Sequence, residues 1–99
     1  MTAYAIGMYD IWDASWRDAY RDKTYHLVGK HGGRFLVRPD CPITKLEGEP
    51  TIKTGMVVIE FPTRAAAEAW YNDPAYQPLR VLRQTGSQLD FILVDGLDE

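Results

Sequence analysis

Aromatic side chains flank two prolines in the segment AWYNDPAYQPL, which spans residues 69–79. Trp70 and Tyr76 stand on either side of the helix break that Pro74 introduces. A buried tyrosine hydroxyl and a buried indole N–H both seek hydrogen-bond partners, so this pair could orient a flat, oxygenated ligand in a cleft between the second helix and the sheet. The alternative is that both rings are core aromatics packed beneath a bent helix.

Four other side chains could serve such a site. Tyr20 lies on the inward stripe of the first predicted helix, and Arg80 could meet an anionic ligand at the cleft mouth, although surface arginines are mostly solvated. Asp10, at the end of the first predicted strand, could transfer protons or simply help to cap the helix that follows. Histidine titrates near neutral pH, so His26 could act as a general base, but the sequence supplies no orienting partner.

The histidines and the cysteine do not form a recognisable metal site or nucleophile. His26 and His31 are separated by about 140° around a helix, so they do not converge on one ion, and no third ligand stands at a suitable spacing. Cys41 has no neighbouring base that would activate its thiol. Motifs for phosphate, dinucleotide and zinc-hydrolase chemistry are missing, so the sequence predicts no metal and no cofactor.

Composition points to an ordinary globular protein. The chain of 99 residues is the length of one domain, predicted to span residues 1–99, with 45% hydrophobic and 25% charged residues. A net charge of −3 argues against a nucleic-acid partner. No apolar run approaches about 18 residues, and the N-terminus does not resemble a signal peptide. With a single cysteine, these features predict a cytoplasmic protein without a membrane partner.

The first half of the chain predicts a strand, a helix and a second strand. Residues 2–11 form the first strand, and neither of its faces is clearly polar. Asp13 could accept hydrogen bonds from the first amides of a helix over residues 14–30, which two glycines then end. Residues 34–38 predict the second strand.

A turn-rich connection over residues 39–55 contains three of the six prolines. We predict a hairpin arm here, in which ITKLEG pairs loosely with PTIKTG. The segment MVVIEF, residues 56–61, predicts the third strand, since it is compact and rich in β-branched residues. Thr63 could cap the helix that follows, over residues 64–72.

The last part of the chain predicts a break, a short helix and a final strand. Asp73 could cap a new turn, and Pro74 suits its first position. A further helix is predicted over residues 78–86, and a strand over residues 88–96. The order β-α-β-β-α-β is that of an α+β, ferredoxin-like fold, with helices against one face of a four-stranded antiparallel sheet.

The strands are apolar on both faces, whereas the helices can cover one face. In the third strand, Val57 and Ile59 point one way, while Met56 and Val58 point the other. An antiparallel sheet with one solvated face should alternate between apolar and polar residues. We therefore predict a homodimer that pairs through the sheet face, with the alternative of a monomer whose arm or tail covers it. A cross-strand contact of Arg38 with Glu60 is also predicted.

The segments YAIGMYDI, HGGRFLVR, VVIEFPTRAAAEAWYNDPAYQPL and LVDG together resemble the family of domain of unknown function 1330. The resemblance covers nearly the whole chain, in order. It implies membership of the dimeric α/β-barrel proteins, whose ferredoxin-like protomers pair sheet to sheet. In related monooxygenases an aromatic pair on the corresponding helix lines the substrate cavity, and Trp70 and Tyr76 are similar to that pair.

Three functions remain open at this point. The first is a homodimeric α/β-barrel protein with an aromatic-lined pocket for a small molecule in each protomer. The second is a cofactor-free enzyme, a monooxygenase or isomerase, that acts on a small aromatic or carbonyl metabolite. The third is a structural or interaction module without a ligand. The fold alone does not choose among them.

Overall fold

The computed structural model describes residues 1–49 and 54–97 of the chain. In chain order these residues form β1 (Ala3–Ile11), α1 (Arg17–Lys30), β2 (Arg34–Val37), β3 (Gly55–Phe61), α2 (Arg64–Tyr71), α3 (Gln77–Gln84) and β4 (Ser87–Asp95). The strands make an antiparallel sheet in the order β2-β3-β1-β4. This is the ferredoxin-like arrangement, so the predicted α+β fold is confirmed.

Short polar side chains set the starts of the later helical segments. Thr63 Oγ1 accepts a hydrogen bond from Ala66 N at 3.0 Å and so caps α2, as predicted. Asp73 Oδ1 accepts from Ala75 N at 2.9 Å and caps the turn that follows. Pro78 lies in the first turn of α3, where its missing N–H removes no helical hydrogen bond. The predicted break between α2 and α3 is therefore present.

Each central strand turns alternate residues toward the helices. In β1, Ala5 and Tyr9 are buried on that side, and Gly7 lies between them. Gly7 has no space for a side chain, since a Cβ there would lie 2.6 Å from Leu89 Cδ1. The core between sheet and helices consists of Ala5, Tyr9, Trp16, Leu27, Val28, Val57, Ile59, Phe61, Ala67, Trp70, Tyr76 and Leu79.

The other side of the sheet is apolar at its centre, and we call it the open face. Ile6 lies opposite Val58 on β3 and opposite Ile92 on β4. Ile92 and Val94 are 64% and 43% exposed, although both are large and apolar. The apolar residues of the open face are Tyr4, Ile6, Met8, Met56, Val58, Ile92 and Val94. Both faces of the sheet are thus apolar, as the sequence predicted.

The start of α1 differs from the prediction. The helix begins at Arg17, three residues after the predicted start, with Trp16 at the cap position. Asp13 Oδ1 accepts a hydrogen bond from Ser15 N at 3.0 Å, which closes a local turn before the helix. Asp10 lies within β1, opposite Gln88, and no side chain of the described residues donates or accepts a capping hydrogen bond at the start of α1.

The predicted contact between Arg38 and Glu60 is wrong. Since β2 runs antiparallel to β3, the first residue of β2, Arg34, lies opposite Glu60 near the end of β3. Arg34 Nε donates to Glu60 Oε1 at 3.2 Å. Arg38 follows the other end of β2 and donates from Nη1 to Tyr25 Oη at 2.7 Å.

The predicted hairpin arm is described only in part. Its first half, residues 43–48, forms no strand. Residues 50–53, most of its predicted second half, lie outside the described residues. Within the described ranges, no helix has the length and apolar character needed to cross a membrane.

Candidate functional site

A cleft lies between α1 and the sheet, and we call it the α1 cleft. The helix and the residue before it contribute Trp16, Arg17, Tyr20, Arg21, Thr24 and Tyr25. The sheet contributes Tyr9, Phe35, Val57, Ile59 and Phe91, and the segment after β2 contributes Arg38, Pro39 and Asp40. The cavity volume is about 70 Å³. Sites for drug-sized ligands have roughly 300–1,000 Å³, so this cleft suits a smaller molecule of about one ring.

Aromatic rings form much of the wall of the α1 cleft. The rings of Trp16 and Tyr20 meet edge to face with their centroids 5.2 Å apart, and Tyr9 lies 6.0 Å from Trp16. On the other side, the centroids of Tyr25 and Phe35 are 4.5 Å apart. These rings hold one another in place, so the cleft presents a largely preformed aromatic surface to a ligand.

The α1 cleft is also rich in positive charge. Its lining contains three arginines and one aspartate, Asp40. The guanidinium of Arg38 lies 5.8 Å from the centre of the Tyr25 ring, and its hydrogen bond with the Tyr25 hydroxyl raises the pKa of Arg38. The Arg21 side chain is 56% exposed and lies 3.7 Å from Asp22, a contact open to solvent. The local charge is therefore opposite in sign to the net charge of the chain.

Two polar groups on the cleft wall have no hydrogen-bond partner among the described residues. Trp16 Nε1 and Thr24 Oγ1 are both shielded from solvent. Leaving a buried donor or acceptor unpaired costs about 1–3 kcal/mol, and native proteins satisfy nearly all such groups. Both residues line the α1 cleft through other atoms, while these two atoms are covered by protein and do not open onto it.

Three tyrosines and one arginine, Tyr9, Tyr20, Tyr76 and Arg83, lie close enough to influence one another's pKa values, and we call these four residues the hydroxyl chain. Tyr20 Oη and Tyr76 Oη are 2.8 Å apart. Tyr9 and Tyr20 line the α1 cleft, whereas Tyr76 and Arg83 lie in the interior. The chain thus extends from a buried guanidinium to the cleft.

Burial keeps the hydroxyl chain protonated. It raises the pKa of Tyr9 from 10.0 to about 12, although the charge of Arg83 opposes this shift. Burial also raises the pKa values of Tyr20 and Tyr76. At neutral pH all three hydroxyls are therefore hydrogen-bond donors, and none of them can act as a general base.

The free energy of unfolding is expected to fall as the pH rises above about 10. Tyrosines of the unfolded chain ionise near that pH, while Tyr9, Tyr20 and Tyr76 in the folded chain keep their protons to higher pH. Unfolding then releases protons, so each tyrosine lowers the stability by about 1.4 kcal/mol per pH unit above its unfolded pKa. Urea unfolding at a series of alkaline pH values measures this slope. Tyr20→Phe should make the slope shallower, because about one proton fewer is released on unfolding. An unchanged slope would contradict the raised pKa of Tyr20 in the folded chain.

Trp70 and Tyr76 contact each other, but the structure places both in the core. Their ring centroids are 4.5 Å apart, and they are 1% and 0% exposed. Trp70 also packs against Phe61 at 5.4 Å and Phe91 at 6.0 Å. This is the alternative that the sequence left open. Trp70 also borders a separate groove along β4, and its Nε1 has no partner within the described residues.

Of the other predicted site residues, the structure brings Tyr20 to the α1 cleft. Arg80 lies elsewhere: its Nη1 donates to Gln77 Oε1 at 2.9 Å, and its guanidinium stacks 4.5 Å from the ring centre of Tyr71. His26 borders a groove between α1 and α3, and Asp10 is exposed. Among the residues that the structure describes, no cluster of three or more His, Cys, Asp or Glu side chains could hold a metal ion.

The sequence reasoning missed most of the α1 cleft, although part of the signal was present. Trp16, Tyr20 and Thr24 follow one another at intervals of four residues, which places them on one face of a helix. Arg17 and Arg21 repeat the same interval beside them. This stripe of aromatic, hydroxyl and basic residues could have been recognised as the wall of a site.

Comparison with known proteins finds relatives of similar fold. The family model described as domain of unknown function (DUF1330) matches residues 2–97. A protein of unknown function from Rhodopseudomonas palustris has a TM-score of 0.77 at 15% identity, covering 99% of this chain and 84% of that one. SnoaB, a cofactor-independent oxygenase from Streptomyces nogalater, has a TM-score of 0.67 at 10% identity. The match covers 99% of this chain and 95% of SnoaB. Among proteins with a curated description, none matches this chain significantly.

Proposed function

The chain belongs to the family described as domain of unknown function DUF1330, and we propose that its α1 cleft binds a small aromatic metabolite with an acidic group. The single observation that carries this proposal is the set of three arginines, Arg17, Arg21 and Arg38, in the lining of the α1 cleft. They stand on the wall of a preformed aromatic cleft, where they would meet the acidic group of a ligand.

The charge of the cleft supports an acidic ligand. Arg17, Arg21 and Arg38 outnumber Asp40 in the lining, although the chain as a whole has a net charge of −3. A planar guanidinium can form two parallel hydrogen bonds to a carboxylate, which makes arginine the preferred partner of such groups. The ring of the ligand would lie among the aromatic walls, and its acidic group would face the arginines.

Benzoate is expected to bind to the protein at least about tenfold more tightly than benzyl alcohol, which has the same ring and no charge. Titrations followed by amide chemical shifts measure both affinities and locate the binding site. Arg38→Gln should weaken benzoate binding several-fold and leave benzyl alcohol nearly unchanged, because it removes charge rather than apolar surface. Arg64→Gln is the matched control, since Arg64 pairs with Asp95 at 2.9 Å, away from the cleft. Equal affinities for the two compounds, or shifts confined to residues outside the cleft, would contradict the proposal.

Cofactor-free catalysis is the second candidate function. It is favoured by the hydroxyl chain, which offers proton donors beside a cleft in a fold that SnoaB, described as a cofactor-independent oxygenase, also has. The tyrosines would stabilise an anionic ligand rather than remove a proton from it. Asp40, the single carboxylate of the lining, is exposed, so the geometry supports binding better than base-initiated turnover. Consumption of dissolved oxygen by the protein with a bound phenolic ligand would favour catalysis.

We further propose that the open face pairs with a second copy of the chain. Its central row, Val58, Ile6 and Ile92, crosses three adjacent strands and would otherwise remain in water. Soluble monomers seldom expose a continuous apolar patch of this kind. A two-fold axis would place this row of one protomer against the same row of its partner. The surface is therefore suited to a symmetric homodimer. The α1 cleft lies on the opposite side of the sheet and would stay accessible.

A further inference from the structure

The segment after β2 forms one side of the α1 cleft, and it packs tightly onto the sheet. Pro39 lies against Gly55 at the start of β3, where an added Cβ would come within 2.5 Å of the Pro39 carbonyl oxygen. Cys41 N donates to Arg38 O at 2.9 Å, which closes a turn in the same segment. A glycine allows this close approach of two backbones, so the main chain that carries Arg38 is held against β3.

The exposed side chain of Arg38 is held by a residue of α1. Its Nη1 donates to Tyr25 Oη at 2.7 Å, and the guanidinium carbon lies 5.8 Å from the centre of the Tyr25 ring. The Tyr25 ring packs in turn against Phe35 of β2, with the two centroids 4.5 Å apart. Tyr25 is therefore fixed itself, and its hydroxyl can restrict the rotamers of an arginine that would otherwise move freely in solvent.

Arg21, on the same cleft lining, is in the opposite situation. Its side chain is 56% exposed, and its Nε lies 3.7 Å from Oδ1 of Asp22, whose side chain is 84% exposed. A contact between two exposed, flexible side chains contributes little. A ligand that binds Arg21 must first order its side chain. Arg38 is ordered beforehand, which lowers the entropic cost of binding.

The hydrogen bond with Tyr25 leaves Arg38 able to bind an acid. A guanidinium has five N–H donors in one plane, and the bond from Nη1 uses one of them. A carboxylate is bound by two parallel donors, so the remaining N–H groups suffice for a bidentate pair. Tyr25 thus constrains the guanidinium without occupying its capacity for a carboxylate.

We propose that Arg38 is the residue of the α1 cleft that selects ligands with an acidic group, and that Tyr25 is the positioning residue that holds its guanidinium for them. The inference rests on the proposed function, and it specifies which of the three arginines of the lining, Arg17, Arg21 and Arg38, carries the selectivity. The Tyr25 hydroxyl acts through Arg38 and not on the ligand itself.

The readout is the ratio of the benzoate affinity to the benzyl alcohol affinity, because a general loss of packing would weaken both compounds and leave the ratio unchanged. Arg38→Gln should reduce this ratio at least about fivefold, and Arg21→Gln less than about twofold. Tyr25→Phe keeps the ring and removes only the hydroxyl, and it should reduce the ratio about threefold. Tyr71→Phe is the matched control, since Tyr71 lies outside the lining of the α1 cleft.

The double variant Tyr25→Phe, Arg38→Gln separates positioning from direct contact with the ligand. If Tyr25 acts through Arg38, its hydroxyl has no effect on the ratio once Arg38 is absent, so the double variant should match Arg38→Gln alone. NMR relaxation of the arginine Nε–H groups gives a second readout that needs no ligand. Arg38 should be more ordered than Arg21 in the wild type, and Tyr25→Phe should remove this difference. Circular dichroism checks that each variant is folded.

The outcomes separate the inference from the proposed function. If benzoate fails to bind, the proposed function fails and the inference fails with it. If benzoate binds and Arg21→Gln lowers the ratio more than Arg38→Gln, the inference is overturned while the cleft remains a binding site. The positioning role of Tyr25 is overturned if Tyr25→Phe retains the full ratio, or if it lowers the ratio equally with and without Arg38. A wild-type Arg38 as mobile as Arg21 would overturn that role as well.

Discussion

Trp70→Ala is expected to lower the free energy of unfolding by about 3–5 kcal/mol. The Trp70 ring is 1% exposed and packs against Phe61, Tyr76 and Phe91. Removing it leaves a cavity that the surrounding strands and helices cannot fill. Small domains have a total stability of about 5–15 kcal/mol, so a large share of the stability depends on this ring. Urea unfolding at neutral pH measures the change.

Trp12→Ala is the matched control for this prediction. Trp12 is 63% exposed, so its removal should change the free energy of unfolding by less than about 0.5 kcal/mol. A small loss of stability in Trp70→Ala, close to that of the control, would mean that the ring is not a core residue. It would then return Trp70 to the list of candidate ligand-binding groups.

Val58→Lys is expected to weaken dimerisation by more than about a hundredfold. Val58 lies at the centre of the open face, opposite Ile6, and a two-fold axis would bring two copies of the new charge into one interface. Burying an unpaired charge there costs several kcal/mol. Sedimentation equilibrium of the wild type should give twice the chain mass of 11.3 kDa, and the variant should give the mass of a single chain at the same concentration.

Val81→Lys provides the control for the dimer. Val81 is 65% exposed on α3, on the opposite side of the molecule from the open face, so a lysine there should leave the mass unchanged. A wild-type protein of single-chain mass at micromolar concentration would overturn the proposed dimer. If Val58→Lys dimerises as strongly as the wild type, the dimer interface lies on a surface other than the open face.

The fold was largely predictable because its signals are local. Alternation in β1 and β3 identified the strands, and the Thr63 and Asp73 caps fixed the helix starts near the break. One local detail was not predictable in the same way. Asp13 has the chemistry of a helix cap, but it closes a turn with Ser15 instead, and such competition between turn and cap is decided by the surrounding packing.

The site was less predictable because its parts are distant in sequence. The aromatic pair Trp70 and Tyr76 attracted attention, yet both rings are packed in the core. Tyr9 and Arg83 carry no motif, and only the pairing of strands and the position of α3 bring them near each other. The error on Arg38 has a similar origin, since the register of β2 against β3 decided which arginine meets Glu60.

The α1 cleft draws on α1 and on all four strands, so it exists only when these elements have assembled. A ligand that needs this cleft would bind the native protein and ignore partly folded forms. At a free concentration of about one hundred times its dissociation constant, such a molecule would add about 2.7 kcal/mol to the free energy of unfolding. Cells that run short of the metabolite would then lose part of the native population to proteolysis, and the amount of protein would follow the supply of its own ligand.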